Sequence, residues 1–342
     1  MALIKFYKPA LFRKDMDAVL QTMVDEKIGP GERKRAFVSS FCSFLGFSYG
    51  ISLRTYNDMI QASLTALNIQ SGDSVILSVL TPRVYLDVFK RLGVKPILVD
   101  VDDSMMVSAE NSKKYIDQAK AIVYYEPLCQ VPSSFEEIKS LNLPIIEDIS
   151  ESVGSSYGDN KAGMLGDIVI CSTEEDNIIS TAGGAVAMTN SEEFYENMKK
   201  YLGSSSSYLE LPDMNAALGI VQLSNLENLI SRRSNIYRIY SQAVLKSNCK
   251  MFGSRAVEFK PNGAGFAVIV NSRPDETVEF AKKYQITVKK TFSHSIGARY
   301  MDRFDLYPKA IPALTRAISF PLYPFLQGSD IDTIQKVLSH IH

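Results

Sequence analysis

Gly72-Asp-Ser-Val-Ile-Leu-Ser-Val-Leu80, Leu92-Gly-Val-Lys-Pro-Ile-Leu-Val-Asp-Val101, Ala121-Ile-Val-Tyr-Tyr125 and Pro144-Ile-Ile-Glu-Asp148 each carry one short run rich in Val and Ile, of the kind that fills a buried strand. The segments before and between them change period. Asn57 to Leu67 places Ile60, Leu64 and Leu67 at helical spacing, Arg83 to Leu92 predicts a helix stopped by Gly93, Ala109 to Lys120 predicts another, and a fourth lies near Phe135 to Leu141. Strands alternating with helices of about ten residues are the pattern of βαβ units and a mostly parallel sheet. The crossovers are right-handed and put helices on both faces. Ligands of such sheets sit beyond the carboxyl ends of the strands.

Outward from this block, Ile168 to Cys171 and Gly184 to Met188 predict two more strands, the second opened by Gly183-Gly184. The texture then changes. Met214 to Lys246 predicts one long helix, with neither Gly nor Pro after Gly219. Beyond it, short strands such as Phe266 to Val270 mix with helices over Glu276 to Tyr284 and Asp330 to His340. The expected fold class is α/β: a large domain over residues 1–212 with a mostly parallel sheet, a long connecting helix over 213–247, and a smaller α+β domain over 248–342.

Composition agrees with that size. At ~150 residues per domain, 342 residues suggest about two domains, long enough to bury a core without disulfides or a structural metal. With 37 basic against 38 acidic residues the net charge is −1, so the basic excess typical of nucleic-acid or membrane-surface binders is missing. Cys42, Cys129, Cys171 and Cys249 stand far apart and read as reduced, buried thiols. Of three histidines two are His340 and His342, a poor basis for a metal site, and none is expected. The N-terminal stretch has scattered charges rather than a signal-peptide core, and no apolar run reaches the ~18 residues of a membrane span. The cytoplasm is the expected location.

The order of segments resembles the DegT/StrS-type nucleotide-sugar aminotransferases, which belong to the fold-type-I enzymes that use pyridoxal phosphate (PLP). Ile28-Gly-Pro-Gly31 with Phe41 to Gly46 is similar to the family's opening turn and helix. Gly72-Asp-Ser-Val-Ile is similar to its G-D-E-V-I, and Leu92-Gly-Val-Lys-Pro to Val99-Asp-Val-Asp102 to its L-G-A-x-P and V-D-V-D. Pro144-Ile-Ile-Glu-Asp148, Gly166-Asp167, Met214-Asn-Ala-Ala-Leu-Gly-Ile-Val-Gln-Leu223, Arg232-Arg233 and Ser319-Phe-Pro-Leu-Tyr-Pro324 follow in the family's order. The resemblance spans nearly the whole chain and implies the PLP-transferase fold.

It also implies a lysine just before the Gly-Gly pair, whose amine would form the Schiff base and then shuttle the α-proton. Here that stretch reads Asp176-Asn-Ile-Ile-Ser-Thr-Ala-Gly183-Gly184, and Lys161 and Lys199 are the nearest lysines on either side. A carboxylate cannot form an imine. The implied cofactor contacts change as well. Thr55-Tyr56-Asn57 stands where the family has a phosphate-cradling S-G-T, with Tyr56 in place of the glycine that lets backbone amides approach. Pro82 takes the place of the ring-stacking aromatic, and Glu151 that of a Gln or His. The phosphate-binding serine falls on Cys171, with Ser172 beside it, and the partner-subunit Asn and Arg fall near Tyr208 and Glu210. Asp148, the implied partner of the pyridine nitrogen, is the one that remains. Any cofactor would therefore meet Asp148, Glu151, Tyr56, Asn57 and Ser172, with Asp176 at the catalytic position.

The changes share a sign. Asp176 and Glu151 add negative charge, and Glu126, Glu147, Glu174 and Glu175 lie on neighbouring strand ends. Two unit charges ~5 Å apart at an effective dielectric of ~20 repel by roughly 3 kcal/mol, about two decades in affinity. The expectation is a family member with no covalently held PLP and without ordinary transaminase activity. It would serve in a nucleotide-sugar or polysaccharide pathway, as a homodimer, with a nucleotide-sugar ligand or an active relative as partner. Two alternatives stand beside it. One is an enzyme that uses PLP or pyridoxamine phosphate non-covalently on a keto-sugar, with Asp176 as base. The other is a PLP-independent enzyme that binds a cation through Glu126, Asp148, Glu151 and Asp176. His294 either contacts a ligand or is an exposed loop residue.

Overall fold

In the computed structural model, which describes residues 3–271 and 273–341 and so leaves His342 outside, the four apolar runs become neighbouring strands of one sheet. Its strands are β1 (Tyr49–Leu53), β2 (Ser74–Ser78), β3 (Lys95–Val99), β4 (Ala119–Tyr125), β5 (Ile145–Asp148), β8 (Ile168–Ser172) and β9 (Ala185–Thr189); the two-residue strands β6 (Ser156–Tyr157) and β7 (Asn160–Lys161) form a separate small sheet with β11 (Phe259–Lys260). The order is β1-β9-β8-β5-β4-β2-β3. Strands β3, β2, β4, β5 and β8 run parallel, while β9 is antiparallel to both of its neighbours.

Alternation along the strands builds two cores. Ile76 and Ile122 face one side with Phe37 and Phe41; Leu77, Val123 and Ile146 face the other with Met59, Ile60 and Leu64. The helices are α1 (Arg13–Val24), α2 (Glu32–Leu45), α3 (Tyr56–Ala66), α4 (Val84–Leu92), α5 (Ala109–Ser112), α6 (Glu136–Lys139), α7 (Glu192–Leu202), α8 (Ser206–Leu209), α9 (Asp213–Ser224) and α10 (Leu226–Val244). Helix α3 starts where Thr55 accepts from the Asp58 amide at 3.1 Å, and α4 stops at Gly93, which takes a left-handed φ of 71°. A third core lies in the C-terminal part, where Ile236 and Tyr240 of α10 pack on Phe266 and Phe320 of β12 (Phe266–Ile269) and β14 (Ala317–Phe320). Those strands form a sheet with β10 (Lys250–Met251) and β13 (Lys289–Lys290), flanked by α11 (Pro274–Lys283), α12 (Ile311–Arg316) and α13 (Gly328–Leu338).

Two expectations need correction. The helix expected over Ala109 to Lys120 is only α5 and a 3₁₀ turn at Lys113–Tyr115. Ser108 and Ser112 bond to nearby backbone, and the sheet draws Ala119 and Lys120 into β4. The single connecting helix expected over 213–247 is two, broken at Asn225 (φ −105°, ψ 5°), whose amide bonds back to Val221 and Gln222. No Gly or Pro marks the break, and the local signal is Asn225 itself, a residue type favoured at helix ends. Its cause is tertiary: α9 is held to the N-terminal segment by Gln222, which donates to the Ala10 carbonyl and the Asp15 carboxylate at 3.0 and 2.9 Å.

Asp213, at the start of α9, caps a different helix. Its buried carboxylate accepts from the amides of Gly31, Arg33 and Lys34 at 2.8, 3.1 and 2.8 Å, the open end of α2. Asp213→Ala strands those donors and is expected to cost about 2–3 kcal/mol in urea unfolding, with Asp213→Asn recovering part of it. A loss below ~1 kcal/mol would show that water replaces the cap.

The segment before α1 runs as a strap across the molecule. Ile4 pairs with Ile286 in the small domain, exchanging backbone bonds of 2.8 and 3.0 Å with Gln285 and Thr287. Phe6 lies under the Lys289 ammonium at 4.4 Å, the Tyr7 hydroxyl donates to the Glu175 carbonyl, and Phe12 packs on Phe325.

Candidate functional site

Beyond the carboxyl ends of β2, β4, β5 and β8 lies a cavity of about 520 Å³. Its floor is the end of the large sheet, and its roof is the strap with β13, β14 and their loops. Tyr56, Asn57, Glu151, Ser172 and Asp176 line it. Asp148 lies fully buried at the end of β5, beneath this lining. Asp176 is exposed on the loop after β8, and His294 is exposed on the opposite rim.

The Asp148 carboxylate is filled by its own chain. Oδ1 accepts from the Ser150 amide at 3.1 Å and the Ser150 hydroxyl at 2.6 Å. Oδ2 accepts from the Tyr85 hydroxyl at 2.7 Å and from the Tyr56 hydroxyl. The two rings meet edge to face with centroids 6.0 Å apart. Four donors match the lone-pair capacity of a carboxylate. Burial raises the Asp148 pKa, against these hydrogen bonds, and pushes both tyrosines well up.

Glu151 accepts from the Leu128 amide at 2.7 Å and from the Tyr125 hydroxyl, and burial raises its pKa in spite of both bonds. Leu128 and Cys129 take left-handed φ values of 46° and 63° to make this turn. The Cys129 and Cys171 thiols are both pushed up by burial, so neither is an activated nucleophile. Tyr208 is 78% exposed, and Glu210 pairs with Lys34 of the same chain.

Counting carboxylates overstates the negative charge in the cavity. Glu126 and Glu147 are fully buried and do not line it. Glu147 accepts from the Gly163, Leu165 and Gly166 amides at 2.7, 2.8 and 2.7 Å. Glu126 accepts from Ser152 through one carboxylate oxygen, its Oε1 is buried with no hydrogen-bond partner among the described residues, and burial beside Glu147 raises its pKa. Among the described residues no group of three or more His, Cys, Asp or Glu is placed to hold a metal. The pair predicts a pH effect. Its folded pKa lies above the unfolded value, so the stability it contributes is complete below pH ~4.5 and is lost as pH rises, by ~1.4 kcal/mol per pH unit per proton released on unfolding. Glu126→Gln keeps an acceptor for Ser152 and removes the titrating group. In urea titrations from pH 5 to 8 its stability is expected to fall less steeply than the wild type's; parallel curves would contradict a raised Glu126 pKa.

Three cavity residues and one buried beneath the lining escaped the sequence reading. Tyr85 stands in the first turn of α4, where helical spacing marks it only as apolar packing. Arg233 belonged to a matching motif without a role attached. Lys289 and Lys290 sit on a two-residue strand that has no periodicity to read.

These residues do not fit PLP as a Schiff-base enzyme holds it. Asp148 has no lone pair free for a pyridine nitrogen, and Tyr56 occupies the approach to it from the first residue of α3. The lysines that line the cavity come from β13, where Lys290 pairs with Asp275 at 2.9 Å and Lys289 covers Phe6. The obstacle is occupied space more than charge.

A large, mostly parallel sheet with its site at the strand ends and a small α+β part above it is the fold-type-I architecture of the PLP-dependent sugar aminotransferases. The chain belongs to the DegT/DnrJ/EryC1/StrS aminotransferase family, whose profile matches residues 10–339. It is 24% identical, over 383 aligned positions covering 97% of each chain, to MJ1066 of Methanocaldococcus jannaschii. Among solved structures it is similar to Helicobacter pylori PseC, an aminotransferase involved in the biosynthesis of pseudoaminic acid, at 19% identity and a TM-score of 0.88 over 98% of both chains. It is also similar to Spr1654 of Streptococcus pneumoniae in its PLP form, at 18% identity and a TM-score of 0.89 over 98% of both. These likenesses establish the fold.

Proposed function

We propose that this family member forms no internal aldimine and does not carry out ordinary transamination, acting instead as a ligand-binding protein in nucleotide-sugar or polysaccharide biosynthesis in the cytoplasm. The observation that carries the reading is the Asp148 carboxylate, taken up by Tyr56, Tyr85 and Ser150. Asp176 at the aldimine position agrees with it. The ligand is a nucleotide-linked sugar or a surface of an active relative. Exposed Met16, Leu20, Met23 and Val24 form an apolar stripe on α1, and Ile28 and Tyr208 are exposed too, which supports a homodimer.

The test is titration of the purified protein with PLP and, separately, pyridoxamine phosphate, followed by absorbance and melting temperature. A ligand at 100 times its dissociation constant adds about 2.7 kcal/mol of stability, which either readout of binding would register. No imine band and no shift with either compound is the expected result. An imine band overturns the reading. Stabilisation by pyridoxamine phosphate alone would hand the site to a lysine-independent enzyme with Asp176 as base, and keto-sugars would be the substrates to screen.

A further inference from the structure

One wall of the cavity holds a cation that the protein leaves without a counter-ion. Arg233, on α10, is 3% exposed and lines the cavity. Its Nη1 donates to the carbonyls of Gly263 and Leu322 at 3.3 and 3.1 Å, while Nε is buried with no partner. Among the described residues no carboxylate forms an ion pair with it. The seat is built for this side chain: Gly263 takes a φ of 71°, and a Cβ there would stand 2.6 Å from that of Arg233. Buried charges are ordinarily paired, and a guanidinium that lines a cavity with N–H donors left over is a group that recognises carboxylate and phosphate. Lys289 adds a second cation to the lining.

The lining also carries carboxylates. Glu151, Glu174 and Asp176 offer acceptors. The Tyr7 hydroxyl donates to the Glu175 carbonyl and lies within electrostatic reach of both Arg233 and Asp176. A molecule spanning the cavity would present an anionic group to Arg233 and hydroxyl or amine donors to the carboxylates. The cavity's volume of about 520 Å³ suits such a small ligand.

We propose that Arg233 is the anion-binding centre of this cavity, and that the cavity takes a small hydroxylated or aminated molecule carrying one carboxylate or phosphate group. The proposal rests on the reading that the cavity does not hold PLP. It gives Arg233 a ligand role separate from the phosphate position at α3.

The experiment follows the Arg233 Nε–H resonance by ¹⁵N-edited NMR of the intact protein, assigned by its absence in Arg233→Lys. Titrants are inorganic phosphate, acetate, D-gluconate, glucose 6-phosphate and glucose. A saturable shift with gluconate or glucose 6-phosphate, at least tenfold tighter than with glucose, is the expected result, and the tighter of the two names the anionic group. Arg233→Lys should weaken that binding at least tenfold in thermal-shift titrations, and Lys289→Ala a few-fold. If Arg233→Lys fails to fold, the wild-type resonance decides alone. A resonance that no titrant moves, or equal affinities in wild type and Arg233→Lys, overturns the subsite. An imine band with PLP instead overturns the reading beneath it, so the two failures are told apart.

Discussion

Asp176→Lys alone is expected to leave the protein without an imine band in PLP, whereas Asp176→Lys combined with Tyr56→Gly is expected to produce one. The single change restores the amine at the position before Gly183-Gly184 but leaves Tyr56 and Tyr85 on the Asp148 carboxylate. The second change frees the lone pair that a pyridinium N–H needs, and also the amides at the start of α3. A hydrogen bond between charged partners is worth about 1.5–3 kcal/mol, so the double variant should bind PLP roughly 10–100-fold more tightly than the single one. Glycine at the first position of a helix costs little propensity, and in the double variant PLP would take the space of the lost ring. Absorbance titrations of both variants decide the matter. Equal imine bands would mean that Tyr56 yields to the cofactor, and that the missing lysine was the whole of the loss.

Asp148→Ala should destabilise the protein by about 3–5 kcal/mol, measured by guanidinium unfolding with two probes to check that the transition is cooperative. A carboxylate reserved for a cofactor is a burden when the cofactor is gone, because it is a buried charge with nothing to bind. Here Asp148 organises two tyrosine hydroxyls and both donors of Ser150, all of which would be stranded. Tyr56→Phe and Tyr85→Phe should each cost about 1–2 kcal/mol, and less in combination with Asp148→Ala than alone. A loss within ~1 kcal/mol for Asp148→Ala would indicate that the network adds nothing to the fold.

The central strands were legible because their Val and Ile runs are buried on both faces, and turn residues such as Gly72 and Gly93 delimit them. Helix breaks were not. Asn225 ends α9 because that helix is tied to residues 10–15, more than 200 positions away, and local propensity is silent about such ties. Within the site, Tyr56, Glu151 and Asp176 could be placed by order along the chain. The direction of the Tyr56 side chain could not, since one helix position admits a ring turned either to solvent or to Asp148. Nor could the burial of Glu126: a strand-end glutamate reads as a solvated carboxylate until its depth and its neighbour Glu147 are known.

The strap has a consequence for how the molecule is made. Ile4 pairs with Gln285, Ile286 and Thr287, so residues 4–7 leave the ribosome some 280 positions before the strand edge that receives them. At about 5–20 residues per second that is a delay of roughly 15–60 s. During this time the large sheet can form from neighbouring βαβ units while its future roof is missing. The cavity is thus closed by the earliest of these segments to be synthesised, in one of the last steps of assembly.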